Sequence, residues 1–505
     1  MQRFNDLVMA RDFLTDPLWQ EEDMGKAVPE TPHAVSVCLP TWKQVVGYEE
    51  CDPMVLGMME TGYPRFFVNR IVRELNSIAA DDYAAEGELA VIFPNVAAAE
   101  RCCDFLDGAG RVEFWEEKSL GVLLVPDAWE KRALEYVRYT GELVSSYRAE
   151  SLLAGRGDDQ KIANQVGETL RSRIAEHSGM AAADVYLFPN GMAAVYTLHR
   201  ALRQMFPDRK TAQYDFPYVD VLRVQKEFGH GAHFHPRASA ESLEELRSLV
   251  DAEDLGGIFC EMPSNPLLRC AGMGEISQIL SGKDVPLIVD DTVASSVNIS
   301  LTEYADAVTT SLTKFFSGVG DVMGGSVVLN ANRPHYAVLK AAMEEVYEPD
   351  LFWWEDAVVL ERNSRDYAQR VRQMNVTASA LVDHLSAHPG VAEVFYPSLE
   401  TPEAYAQVQR EGAGFGALFS IVLKEPENTS AKFFDALRVT KGPSLGTNYT
   451  LACPYTLLAH YPELDWAEGC GVSRWLVRVS VGLEDLDELI SRFDVALARA
   501  GAGQA

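Results

Sequence analysis

The segment VPLIVDDT (285–292) decides the fold, because a short apolar run ends there in two adjacent aspartates. A second run, DAVTTSLTK (306–314), ends in hydroxyl side chains and a lysine. Runs of this kind between helical patterns are typical of strands that are buried on both faces of a mostly parallel sheet. Such sheets bind ligands at the carboxyl ends of their strands. We therefore expect the chemistry of this protein in the residues that follow these runs.

The same alternation extends in both directions and predicts three domains. Residues 141–375 carry the strongest alternation of apolar runs and helical patterns, which predicts an α/β domain. Residues 1–140 contain a smaller α/β pattern, and residues 376–505 predict a separate α+β domain. Within the first region, residues 1–40 have no clear period and are expected to form an arm or a wrapped loop. Three domains agree with a length of 505 residues at roughly 150 per domain.

The composition excludes several classes of function. Lys and Arg number 44 against 74 Asp and Glu, a net charge of −30, so neither nucleic acid nor a membrane surface is an expected partner. Charges interrupt the opening stretch MQRFNDLVMARDFL (1–14), which argues against a signal peptide and favours a cytoplasmic protein. The eight cysteines include no Cys-x-x-Cys pair, and the histidines of GHGAHFHP (229–236) are expected on a surface loop. We therefore predict no metal site.

Polar residues at the strand ends each allow two explanations. Gly191 and Met192 begin a helix whose N–H groups form an anion site, although glycine turns of this kind are common. Asn265 either contacts a ligand or caps a turn, and Asp290 needs a cation from the protein or from a ligand. Lys314 is either a desolvated nucleophilic amine or a lysine that extends its ammonium group into water.

The combination favours one cofactor. An anion site, an amide, a carboxylate and an amine at successive strand ends match the phosphate, ring oxygen, ring nitrogen and aldehyde of pyridoxal 5′-phosphate (PLP). The glycine-rich stretch GVGDVMGG (318–325) resembles a nucleotide-binding loop, but it precedes a strand instead of joining a strand to a helix. A Rossmann nucleotide site is therefore not predicted.

At these positions the chain resembles the Cys/Met-metabolism PLP enzymes of fold type I, and within them most closely the fungal-type cystathionine γ-synthases. The matching segments are NGMAAV (190–195), EMPSNP (261–266), VDDT (289–292), SLTKFFSGVGDVMGG (311–325), PSLGTNYTLACPY (443–455) and LVRVSVGLED (476–485). The likeness to the fungal-type group also includes LPTWKQVVGYEE (39–50) and TGYPRFF (61–67).

The resemblance implies a large domain with a mostly parallel seven-stranded sheet, a smaller C-terminal α+β domain and an N-terminal α/β extension. It implies that Lys314 binds the PLP aldehyde and that Asp290 pairs with the ring nitrogen. The other implied contacts are Gly191, Met192, Ser311 and Thr313 to the phosphate, Asn265 to the ring hydroxyl, and Ser444 and Arg478 to the substrate carboxylate.

Three departures from the family pattern affect the site. Asn190 replaces the usual serine before Gly-Met, and Asp291 replaces the Asn of VDNT and is expected to add negative charge near the ring. The usual Tyr-x-Arg-x-x-Asn-Pro-Thr segment, whose arginine reaches the partner subunit's phosphate, is not recognisable. Arg156 and Arg148 are the candidates for that arginine, and the spacing favours Arg156.

The aromatic residue stacked on the cofactor ring is expected to be Phe216 or Tyr218, and Tyr218 is also a candidate catalytic residue. The resemblance implies γ-replacement on an O-acylhomoserine or O-phosphohomoserine, with cysteine as the favoured thiol. It also implies a homodimer or homotetramer whose active site is shared across the dimer. The alternatives are γ- or β-elimination, direct sulfhydrylation, and a paralogue without activity.

Overall fold

The structure is a computed structural model that describes residues 11–252 and 254–501. Residues 1–10, which carry most of the stretch used to argue against a signal peptide, lie outside this part. The strands are β1 Ala27–Val28, β2 Ser36–Val37, β3 Glu88–Phe93, β4 Arg111–Trp115, β5 Leu120–Pro126, β6 Val185–Phe188, β7 Lys210–Tyr214, β8 Ala232–His235, β9 Leu255–Glu261, β10 Leu287–Asp290, β11 Ala307–Thr310, β12 Gly325–Leu329, β13 Val391–Phe395, β14 Leu418–Leu423, β15 Thr440–Lys441, β16 Leu451–Pro454 and β17 Val477–Ser480.

The helices are α1 Trp42–Glu49, α2 Pro53–Gly57, α3 Arg70–Tyr83, α4 Val96–Phe105, α5 Glu130–Thr140, α6 Ser146–Leu153, α7 Gln160–Ser178, α8 Gly191–Met205, α9 Val219–Glu227, α10 Ala240–Asp251, α11 Met273–Ile279, α12 Tyr336–Val346, α13 Trp354–Asn363, α14 Tyr367–Ser386, α15 Pro397–Glu400, α16 Pro402–Ala406, α17 Pro426–Ala436, α18 Tyr455–His460, α19 Leu464–Gly469 and α20 Leu486–Ala500. No helix of the described residues is both long and apolar enough to cross a membrane.

A seven-stranded sheet with the order β6-β12-β11-β10-β9-β7-β8 forms the centre of the protein. Strand β12 is antiparallel to β11 and β6, and all other neighbours are parallel. Because β6 and β11 both oppose β12, the carboxyl ends of β6, β7, β9, β10 and β11 lie on one edge. The predicted α/β fold with a mostly parallel seven-stranded sheet is confirmed.

Burial on both faces explains the continuous apolar runs of the central strands. Cys260 and Val289 pack into the core that includes α11. Their neighbours Phe259 and Ile288 point to the opposite face and pack into the core that includes α8. Side chains alternate along a strand, so a strand between two helical layers must be apolar at every position.

Smaller sheets lie on either side of the large one in sequence. A three-stranded antiparallel sheet with the order β3-β5-β4 lies in the N-terminal region, and its two faces pack in separate cores, one with α4 and α5 and one with α3. A five-stranded sheet with the order β13-β14-β17-β16-β15 lies in the C-terminal region, next to α14, α17 and α20. Each of the three predicted domains thus contains one of the larger sheets.

The prediction of a surface loop at residues 229–236 is partly wrong. Residues 232–235 form β8, the edge strand that pairs in parallel with β7. The reason is that His235 is buried, with its ring 6.0 Å from that of Tyr214 and its Nδ1 3.1 Å from Glu245 Oε2.

The N-terminal arm packs on the C-terminal region. Leu18, Val28 and Cys38 form one apolar cluster with Tyr449 and Leu451. The arm is also held by hydrogen bonds, because the backbone N–H of Lys441 donates to the Leu18 carbonyl at 3.0 Å. The described part of the predicted arm is therefore part of the folded core.

Replacing Leu18, which is fully buried, by alanine should lower the free energy of unfolding by about 2–5 kcal/mol, because it leaves a cavity between the arm and the C-terminal region. Leu399→Ala, at a leucine that is 47% exposed, is the control and should cost less than about 0.5 kcal/mol. Urea denaturation measures both. Equal, small effects would mean that the arm does not contribute to the core.

Candidate active site

Lys314 lies just beyond the end of β11, among charged and aromatic groups. Its Nζ donates a hydrogen bond to Ser444 Oγ at 3.0 Å and lies 4.5 Å from the centre of the Tyr63 ring. Burial lowers the pKa of Lys314; Tyr63 opposes this effect, and the positive charges of Arg478 and Arg65 add to it. An amine that loses its proton readily is a good nucleophile and base. This environment favours the nucleophilic explanation of Lys314 over that of a surface lysine.

Asp290 and Asp291 point to opposite faces of the sheet. Asp290 accepts hydrogen bonds from the Thr292 backbone N–H at 2.8 Å and from Thr309 Oγ1 at 3.2 Å. Asp291 accepts from Thr310 Oγ1 at 2.5 Å. Thr309 and Thr310 are consecutive on β11, so their side chains alternate. The two carboxylates thus point apart, although the charge of Asp290 still helps to raise the pKa of Asp291. The expected effect of Asp291 on the ring stays a prediction.

Asp290 has no ion-pair partner among the Lys, Arg and His residues of the described chain. Burial raises its pKa from the ordinary value, and hydrogen bonds from Thr292 and Thr309 only partly oppose this. Burial also raises the pKa of Asp291, to about 7. A buried carboxylate is costly unless a cation pairs with it. Asp290 thus fits a cationic ligand.

The start of α8 presents backbone N–H groups at the same edge of the sheet, as an anion site requires. Asn190 Oδ1 caps the helix by accepting from the Ala193 N–H at 3.0 Å, and Asn190 Nδ2 donates to the Gly141 carbonyl at 2.7 Å. The Asn190 side chain is therefore committed to the cap. Gly191 packs closely on Ser311, because a Cβ at Gly191 would lie 2.8 Å from Ser311 Cβ.

The other predicted phosphate contacts contribute in different ways. Met192 has its side chain buried in the core of α8, so only its backbone N–H is available to an anion. Thr313 Oγ1 accepts from the Gly324 N–H at 3.1 Å, which ties the lysine segment to the glycine-rich loop. The Ser311 backbone N–H donates to Thr292 Oγ1 at 2.7 Å and joins the ends of β10 and β11.

Arg478, on β17, connects the C-terminal sheet to the strand ends. Its Nη1 donates to Asn265 Oδ1 at 3.2 Å, and its Nη2 donates to the carbonyls of Pro443 at 2.7 Å and Ser444 at 3.2 Å. Asn265 Nδ2 also donates to Tyr455 Oη at 3.3 Å. The structure thus brings Asn265, Ser444 and Arg478 together next to Lys314.

The two candidate aromatic residues have different surroundings. Phe216 is buried, with its ring 5.2 Å from that of His460 and 5.5 Å from that of Trp466. Tyr218 Oη accepts a hydrogen bond from Arg65 Nη2 at 2.5 Å, and the Arg65 guanidinium lies 5.4 Å from the centre of the Tyr63 ring. Tyr218 is therefore connected to the surroundings of Lys314, which favours it over Phe216.

Comparison with known proteins identifies the family. A family model described as Cys/Met metabolism PLP-dependent enzyme matches residues 154–498. The chain belongs to this family. The predicted enzyme class and the predicted PLP cofactor are confirmed.

Relatives cover nearly the whole chain. The chain is 33% identical to the cystathionine γ-synthase of Neurospora crassa, over 94% of this chain and 98% of the relative. It is 32% identical to the cystathionine γ-synthase of Saccharomyces cerevisiae, over 94% and 99%. The solved structure of cystathionine γ-synthase from Xanthomonas oryzae pv. oryzae in complex with cystathionine matches with a TM-score of 0.59 at 25% identity, over 68% of this chain and 88% of that one.

The residues of this family member fit PLP. Asp290 offers an unpaired carboxylate, Lys314 an amine with a lowered pKa, and the start of α8 a set of N–H donors, all at one edge of the sheet. These are the groups that a ring nitrogen, an aldehyde and a phosphate require.

The sequence analysis missed Tyr63 and Arg65. Arg65 is buried, and its Nη1 donates to Asp220 Oδ2 at 2.7 Å. The spacing Tyr-x-Arg stands at residues 63–65 within TGYPRFF, well before the region where such a segment was expected. Only their proximity to Lys314 in the fold identifies these two residues as part of the candidate site; their position in the chain does not.

Neither arginine proposed from sequence lies at Lys314 within the chain. Arg156 has a half-exposed side chain and lies 3.4 Å from Glu355. Arg148 is buried, and its Nη2 donates to the carbonyls of Pro94 at 2.9 Å and Ser119 at 3.1 Å. The role of Arg156 across a dimer stays a prediction.

Asp290→Asn should slow exchange of the substrate α-proton by about a hundredfold or more, because it removes the charge that keeps the cofactor ring cationic. Asp291→Asn is the matched control, since its carboxylate bonds Thr310 on the other face. Loss of the α-proton signal in D₂O, followed by NMR with an amino-acid substrate, measures both. A larger loss for Asp291→Asn would reverse the assignment.

Proposed function

We propose that the protein catalyses γ-replacement on an O-activated homoserine, in which the thiol of cysteine displaces the ester group and cystathionine forms. The contacts of Lys314, Ser444 and Arg478 carry this proposal. A substrate carboxylate held by the guanidinium fork of Arg478 places its α-carbon near the Lys314 amine. The names of the fungal relatives support the same reaction.

Lys314 performs the proton transfers. PLP, when bound through Lys314, supplies an electron sink for the bonds at the α-carbon. Once the substrate amine has replaced it, Lys314 Nζ would be a free base that takes the α-proton and, after passing this proton on, a β-proton, so that the γ-substituent can leave with its bonding electrons. It would return a proton to the β-carbon after the thiol has added at the γ-carbon. Ser444 Oγ, 3.0 Å from Nζ, orients the amine during these steps.

Tyr63 is a second proton carrier in this proposal. Burial would raise the pKa of Tyr63, but the positive charges of Lys314 and Arg65 outweigh burial and lower it. A phenol in this state accepts a proton more readily than an ordinary tyrosine. It is therefore suited to accept the proton of the incoming thiol as the γ-substituent leaves.

The purified holoenzyme should form cystathionine from cysteine and at least one of O-acetyl-, O-succinyl- and O-phosphohomoserine, as detected by mass spectrometry. Without a thiol, release of 2-oxobutyrate should be slower. Faster release without a thiol would identify a lyase, and preference for sulfide would identify a sulfhydrylase. Either of these results, or the absence of all three reactions, would overturn the proposal.

The same assay tests the role of Arg478. Arg478→Lys should lower kcat/KM about tenfold to a hundredfold, because a lysine cannot hold a carboxylate with two parallel hydrogen bonds. Arg474→Lys is the matched control, since Arg474 is on the surface and pairs with Asp465 and Glu468. Equal effects of the two changes would remove Arg478 from the substrate site.

We further propose that the protein is a homo-oligomer in which Arg65 acts at Lys314 of its own subunit. Mixed subunits of Lys314→Ala and Arg65→Gln should then stay inactive, because no subunit has both residues. Regained activity would mean that the segment with Arg65 crosses to the partner. Mixing Lys314→Ala with Arg156→Ala tests the sequence prediction, since regained activity there would show that Arg156 crosses.

A further inference from the structure

The N-terminal α/β unit, residues 88–140, reaches the active site through the end of α5. Arg138 Nε, in the last turn of α5, donates to Asp220 Oδ1 at 3.0 Å. Arg65 Nη1 donates to the other oxygen of the same carboxylate, Oδ2, at 2.7 Å. Asp220 lies in the first turn of α9 and is fully buried. One carboxylate from the large domain therefore joins two arginines from the N-terminal region.

The remaining contacts of Arg65 fix its position near the reactive lysine. Its Nη1 also donates to the carbonyl of Arg138, and its Nη2 donates to Tyr218 Oη at 2.5 Å. The guanidinium lies 5.4 Å from the centre of the Tyr63 ring, and Lys314 Nζ lies 4.5 Å from the same ring. The place of the Arg65 charge relative to Lys314 thus depends on Asp220 and Arg138.

We propose that Arg138 and Asp220 are positioning residues for the Lys314 site, so that the N-terminal α/β unit completes the active site of the large domain. Neither residue makes a hydrogen bond or ion pair with Lys314; both act through Arg65. The proposal rests on the proposed function of Lys314 and Arg65, and it gives the N-terminal unit a part in catalysis.

Helix α5 offers a matched control for the alternative that these contacts only dock the unit. Arg132, on the same helix, pairs with Glu135 at 3.0 Å and with Glu227, at the end of α9, at 2.9 Å. It also lies over the Phe105 ring at 3.9 Å. Arg132 therefore links α5 to the same helix as Arg138 does, but it has no contact with Arg65.

Arg138→Gln should lower kcat/KM about tenfold to a hundredfold, because a small displacement of a positioned charge is costly in a preorganised site. Arg132→Gln should leave it unchanged. The melting temperatures of the two variants should agree with each other. Arg138→Lys keeps the positive charge beside Asp220 and should recover part of the activity.

A second measurement separates positioning from docking. Reductive methylation of the full-length chain freed of PLP, followed by mass spectrometry, gives the pH midpoint at which Lys314 becomes reactive. A loosened Arg65 in Arg138→Gln should shift this midpoint, because the Arg65 charge both disfavours the ammonium form of Lys314 and favours the anionic form of Tyr63. The groups facing Lys314 are Tyr63, Arg65, Arg478 and Ser444, and Arg132→Gln leaves all of them in place.

The outcomes decide the proposal. A fall in kcat/KM with a shifted midpoint in Arg138→Gln, and neither in Arg132→Gln, supports it. Equal behaviour of the two variants, or a fall in activity with an unchanged midpoint and a lowered melting temperature, overturns it. The midpoint needs no substrate, so it tests the positioning role even if no homoserine ester reacts, which would overturn only the proposed reaction.

Discussion

A partly buried carboxylate without an ion-pair partner among the described residues, that of Asp290, is the feature on which the site depends. Asp290 ends β10 in a place where burial disfavours its charge, and the register of the sheet puts Glu261 of β9 beside it. Burial and the neighbouring Asp290 also raise the pKa of Glu261. The protein thus keeps an acidic, poorly compensated region at the end of its central strands. A cationic group bound there would offset this electrostatic cost, and the ring of PLP is such a group when its nitrogen is protonated.

Lys314 is the electrostatic counterpart of Asp290. Burial first, and then the charges of Arg478 and Arg65, lower the pKa of Lys314 and disfavour its ammonium form, while burial disfavours the carboxylate form of Asp290. Opposite groups with pKa values displaced in opposite directions are a common sign of acid–base chemistry. The sheet supplies Asp290 and Lys314, the C-terminal region supplies Ser444 and Arg478, and the N-terminal region supplies Tyr63 and Arg65.

The sequence was sufficient for the sheet and for the residues at its strand ends. Strand-end residues such as Asp290 and Lys314 follow apolar runs directly, so a local pattern and one rule about parallel sheets locate them. Tyr63 and Arg65 precede every strand of that sheet, and only tertiary packing places them at Lys314. Asn190 is a residue type that caps helices, but its second hydrogen bond, to the Gly141 carbonyl, needed the tertiary structure. The face of the sheet to which the Asp291 side chain points could be assigned only from the register of β10 with β11.

The residues at the end of α5 make contacts that limit where this chain could be cut and recombined with a relative. Gly141, with a φ of +69°, directly follows α5, and its carbonyl accepts a hydrogen bond from Asn190 Nδ2. Asn190 in turn caps the start of α8. Arg138, three residues earlier, holds Asp220. A recombination point between residues 137 and 142 would therefore separate groups that contact two parts of one catalytic centre. We therefore expect that exchanging the N-terminal unit requires matching changes in the domain that it adjoins.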